Sequence, residues 1–73
     1  MDTYLRCRVG TGAVYMAVRN GRRAALKFIQ RYNAAGAKWG ICRSSKSLRD
    51  KARCGDLHTY IIDDKTGAIA CMV

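Results

Sequence analysis

The chain has 73 residues, of which 49% are hydrophobic, a formal net charge of +9, and neither proline nor glutamate. A chain of this size has room for one small core and buries only about 60% of the surface its unfolded form exposes, so any function has to sit on the surface. The apolar content argues against disorder, no apolar run approaches the roughly 18 residues of a membrane span, and MDTYLRC lacks the basic and apolar regions of a secretory signal; one folded domain over residues 1–73, soluble and cytoplasmic with no membrane partner, is expected.

The first element is TYLRCRV, whose strict alternation places Leu5, Cys7 and Val9 on one face of a strand and Tyr4, Arg6 and Arg8 on the other. Gly10, Thr11 and Gly12 supply a turn, and AVYMAVR alternates again, with Val14, Met16 and Val18 inward and Tyr15, Ala17 and Arg19 outward, so the two runs form a hairpin. Asn20 is the expected N-cap of a helix running to about Ala35, and Gly36 the left-handed stop. At 100° per residue Ala25, Phe28, Ile29 and Tyr32 make an apolar stripe, opposite Arg23, Lys27 and Arg31, and that stripe is the natural cover for the apolar face of the hairpin.

KWGICR reads as a short third strand, and Ser44 or Ser45 then caps a short second helix over SKSLRDKAR, ended by Gly55, with only Leu48 and Ala52 on its apolar side. LHTYIID and AIACMV flank DDKTG, which suits a type I turn closed by a glycine bulge, giving a second hairpin. The order β-β-α-β-(α)-β-β describes an α+β domain: a small antiparallel sheet of two hairpins plus a short central strand, one main amphipathic helix on one face, and room for a second short helix. The last strand also offers an edge that a second copy would pair with, against the self-repulsion of the net charge.

Charge is unevenly spread. Residues 1–54 set thirteen Lys and Arg against Asp2 and Asp50, a net +11, whereas residues 55–73 set Lys65 against Asp56, Asp63 and Asp64, a net −2. Arg19, Arg23, Lys27 and Arg31 recur every four residues with no acid among them, although stacked like charges, and cations near a helix N-terminus, each cost a few tenths of a kcal/mol. The outer hairpin face interleaves Tyr4 and Tyr15 with Arg6, Arg8 and Arg19, a mixture suited both to stacking bases and holding phosphates and to ordinary cross-strand packing. Lys46, Arg49, Lys51 and Arg53 add a second basic stretch relieved only by Asp50, either a contact patch or a solvated helix face. Arginine outnumbers lysine nine to five, which favours partners with paired planar oxygens.

Catalytic and metal patterns are missing. The only histidine, His58, lies in an alternating strand, and Asp63 and Asp64 read as turn formers. Gly10-Thr11-Gly12 opens no helix and has no Walker-type Lys-Ser or Lys-Thr pair. No two of Cys7, Cys42, Cys54 and Cys71 have zinc-ligand spacing; reduced thiols are expected, with Cys7 and Cys71 acting as small core hydrophobes.

The expectation is therefore a non-enzymatic module, without cofactor or metal, that binds a polyanion, RNA or DNA, through Arg19, Arg22, Arg23, Lys27 and Arg31 with Arg6, Arg8, Tyr4 and Tyr15, and through Lys46, Arg49 and Arg53 if the second patch takes part. The alternative partner is an acidic protein or the nucleic-acid channel of a nucleoprotein complex. In size and style alone, a compact proline-free chain like this resembles the stand-alone viral and plasmid proteins that act against host machinery, CRISPR inhibitors among them, which implies an inhibitor or adaptor.

Overall fold

The computed structural model describes residues 2–73, and its frame is the first hairpin. β1 (Thr3–Val9) and β2 (Gly12–Val18) pair antiparallel from Thr3 opposite Val18 to Val9 opposite Gly12. After them come α1 (Arg22–Ala34), β3 (Trp39–Cys42), α2 (Lys46–Arg53), β4 (Thr59–Ile62) and β5 (Ile69–Met72), so the α+β class and the order of elements are those the sequence predicts, second helix included. The five strands form one sheet in the order β3-β1-β2-β4-β5.

Two features of the sheet differ from expectation. It is mixed rather than wholly antiparallel, because β4 runs parallel to β2, with Ala17 opposite Thr59 and Val18 opposite Tyr60. A parallel pair needs a long crossover, and the chain between β2 and β4, with two helices and a strand, supplies one. The short third strand is an edge, pairing with β1 on one side only.

Alternation on the first hairpin divides the apolar side chains between two half-cores. Leu5, Met16 and Val18 pack with Ala24, Ala25 and Phe28 of α1 and with Ile62, and Ile29, Tyr32, Trp39, Ile41 and Tyr60 close over them. The Phe28 ring lies 4.5 Å from that of Tyr32 and meets Trp39 edge-on at 5.6 Å. On the other face Tyr4 and Ala17 pack with Leu48 of α2 and with Leu57, joined by the half-buried Cys42 and Ala52. Leu5, Val18 and Ile62 are the largest wholly buried side chains, each worth about 1.5–3 kcal/mol of burial.

The hairpin outruns its helix. Val9 and Val14, expected to point inward, are 58% and 47% exposed, because the tip lies beyond the reach of α1. β5 is exposed throughout, so Cys71 is a surface thiol and not the core residue its alternation suggested, whereas Cys7 is buried.

Asn20 does not cap α1; the N-cap is Gly21, with no side-chain hydrogen bond. The Asn20 side chain instead reaches β4, where its amide donates to the Ile62 carbonyl at 2.6 Å and its oxygen accepts from the Ile62 N–H at 3.0 Å. Asn33 makes the same two-bond clasp with Trp39, at 2.9 and 2.8 Å, tying the end of α1 to β3. The other boundaries follow the sequence: Gly36 and Gly55 take φ of 105° and 82° just past the helix ends, and Ser45 accepts from the Leu48 N–H at 3.2 Å as the cap of α2. In the second hairpin Asp63 accepts from the N–H groups of Lys65 and Thr66, and Gly67 closes the turn at φ 80°. Among the described residues no helix is long and apolar enough to cross a membrane.

Candidate nucleic-acid interface

The sheet separates the predicted binding residues into two groups. Arg22, Arg23, Lys27 and Arg31 are exposed on α1, on one side of the sheet. Arg31 leans toward the second hairpin, donating to the Thr66 carbonyl at 3.4 Å, with its guanidinium 5.9 Å from the Tyr32 ring centroid. Arg6, Arg8 and Tyr15 belong to the other side, which also carries α2 with Lys46, Arg49 and Arg53. The single surface combining the α1 ridge with the hairpin face is therefore not formed.

Two of the expected residues drop out. Tyr4 is only 6% exposed, because Leu48 and Leu57 pack on it, so its ring is core and not a stacking platform. Arg19 lies off the α1 ridge, and its Nε donates to Asp2 at 2.9 Å in the one ion pair among the described residues. Arg49 donates to the Ser44 hydroxyl at 2.9 Å, and with Arg53 it borders the depression that holds this pair.

What remains on the α2 side is a basic trough. Tyr4, Arg6 and Arg8 succeed one another along one face of β1, about 6.8 Å apart, and α2 covers only the first, so the face opens beyond it. In that opening a cleft of about 330 Å³ lies between α2 and the hairpin, lined by Arg6, Tyr15, Cys42, Arg43, Ser47 and Lys51 among others. A second depression of about 270 Å³ continues it along β3 and shares Arg6 and Cys42; Arg8, Lys38, Trp39, Gly40 and Ile41 line the rest. Neither contains an acid. Arg6 and Tyr15 are direct cross-strand partners, and Tyr15 is 38% exposed.

Volumes of this size fall at or below the lower end of small-molecule pockets, about 300–1,000 Å³, so the trough is shaped for flat groups and for charge and not for enclosing a substrate. Burial raises the Cys42 thiol above its usual pKa, only partly offset by a hydrogen bond from its own backbone and by the nearby Arg6 charge. That thiol is a neutral floor, and no cluster of three or more metal-ligating side chains occurs among the described residues.

Sequence reasoning passed over Lys38, Gly40, Cys42 and Arg43 as partners of this surface. The signal was the pair of cations bracketing KWGICR. It became readable only once β3 was known to pair with β1, placing Gly40 beside Arg6. The chain has no significant match among protein-family models, curated proteins or solved structures.

Proposed function

We propose that this protein is a non-catalytic module that binds nucleic acid through the basic trough beside α2, with the α1 ridge as a separate cationic surface. The observation that carries the reading is the acid-free lining of the trough, in which Arg6, Arg43 and Lys51 share the cleft with the exposed Tyr15, and Arg8 and Lys38 line the depression that continues it. Guanidinium groups hold phosphates through paired donors, and an aromatic face accepts a base of any identity, so affinity rests on the backbone and sequence preference is weak.

The test is binding across a salt series. Three phosphates neutralised by Arg6, Arg43 and Lys51 give a slope of log K against log salt of about −2.1 to −2.7, a fall of roughly 20- to 40-fold between 50 and 200 mM. Replacing Arg43 by Ala flattens the slope by a little under one. A flat response, or no binding at low salt, ends the reading. A stoichiometric protein partner that survives nuclease treatment of a lysate would instead favour an inhibitor or adaptor docking on an acidic surface.

A further inference from the structure

Gly40 sits in the middle of β3 with nothing in its own fold to account for it. Its backbone is ordinary extended strand, without the positive φ that favours glycine, and a Cβ built on it would meet no atom within 4 Å. Neither a turn nor a close approach of the chain requires the residue, while glycine inside a strand weakens it and marks places where something else comes near. Its neighbour across the pair is Arg6, and both line the second depression, where Arg6 and Cys42 are shared with the cleft beside Tyr15. The two depressions meet at Arg6 and Cys42, and the missing side chain at Gly40 leaves the second of them open beside Arg6.

From this continuity we infer that the trough seats a single strand of nucleic acid lying across Gly40. The inference rests on the nucleic-acid reading above and narrows it. One base lies against the Tyr15 ring in the cleft beside α2, flanked by Arg43 and Lys51. The backbone crosses the Gly40 notch under Arg6, and the next nucleotide lies between Arg8 and Lys38. Only an unpaired strand fits, because a base within a duplex has both faces covered by its neighbours and offers none to Tyr15. The trough has no protruding helix to enter a major groove; its wall, α2, lies packed on the sheet through Leu48. RNA and DNA present the same phosphates and base faces here, so the assay separates them.

The experiment measures polarisation of labelled homopyrimidine strands of about 12 nucleotides, ribo and deoxy, against a duplex of equal length, with the full chain at low salt. The expected result is preference for the single strand by tenfold or more. Tyr15→Ala weakens single-strand binding roughly 5- to 100-fold, and Tyr15→Phe, which keeps the ring, binds more tightly than Tyr15→Ala. Gly40→Val fills the notch with a good strand former and weakens binding at least as much, with circular dichroism and melting temperature reporting the fold. Equal binding of duplex and single strand overturns the inference and leaves the broader reading standing. So does full single-strand affinity in a folded Gly40→Val protein or in Tyr15→Ala. If Gly40→Val does not fold, the Tyr15 pair decides alone, and absence of binding to any nucleic acid removes both readings.

Discussion

Gly67→Ala isolates one contact on which the placement of the second hairpin depends. Gly67 has a φ of 80°, and a Cβ there would collide with the Lys27 carbonyl, lying 2.8 Å from its carbon and 3.2 Å from the Arg31 Cβ. Neither neighbour is the free end of a flexible side chain, so the turn has to lift from α1. The left-handed conformation costs an L-residue about 1–2 kcal/mol, and relieving an overlap inside a packed contact costs about 1–3 kcal/mol. A loss of about 2–5 kcal/mol is a large share of the 5–15 kcal/mol that holds a typical domain together. For a chain of this length each kcal/mol lowers Tm by about 4–8 °C, so a fall of about 8 °C or more is expected in a melt followed by circular dichroism. Gly10→Ala is the control: Gly10 has a φ of 60° but no atom within 4 Å of its notional Cβ. It should show only the conformational cost, about 4–16 °C, and so melt above Gly67→Ala. If the two variants melt together, the close approach of the turn to α1 contributes nothing and the packing argument is wrong.

Asn20→Ala removes both bonds to Ile62 and leaves a strand N–H and carbonyl without their partner, so a loss of about 2 kcal/mol is expected in urea titrations; an unchanged midpoint would show that the clasp is dispensable. Asp63 titrates below its usual 3.8 because the N–H groups of Lys65 and Thr66 donate to its carboxylate. The unfolded chain therefore takes up the proton first as pH falls, and the stabilisation, complete well above 3.8, is lost as pH drops through the folded pKa. Asp63→Asn should flatten Tm against pH in that acid range, and parallel profiles would count against the turn geometry. With an alkylating reagent near neutral pH, exposed Cys54 and Cys71 should react ahead of Cys42, whose raised pKa keeps it protonated, and a bound oligonucleotide should slow Cys42 further. Labelling of Cys42 that is indifferent to bound nucleic acid would place the ligand elsewhere.

Local pattern carried much of the architecture because local forces set it. Alternation in TYLRCRV and AVYMAVR reports a strand, the glycines after each helix report the only residues free to take positive φ, and Ser45 caps α2 as its hydroxyl permits. What stayed hidden depends on partners far along the chain. Asn20 has the chemistry of a cap, but its better-placed partner is Ile62, 42 residues away. Tyr4 and Tyr15 share one face of the hairpin and look equivalent in sequence, yet one lies under Leu48 and the other is open, because α2 spans only part of that face. The basic residues were visible as a list and not as a surface, since alternation tells which side of a strand a residue takes without telling which helix lies there. Gly40 was legible only as a glycine inside the KWGICR strand, because a glycine that leaves space for a ligand and one that makes a bulge are spelled alike.

The two half-cores are unequal, and the sheet between them belongs to both. α1 anchors its side with Ala24, Ala25 and Phe28, whereas α2 holds its side with Leu48 as its one buried residue. Burial of a single leucine is worth about 1.5–3 kcal/mol, less than global unfolding costs, so α2 can part from the sheet while the strands stay paired. Its amides should exchange with solvent well before those of β1 and β2. The groove therefore has a stiff floor and a yielding wall, and an incoming strand that needs more width gains it by loosening the side of the molecule that is cheapest to open.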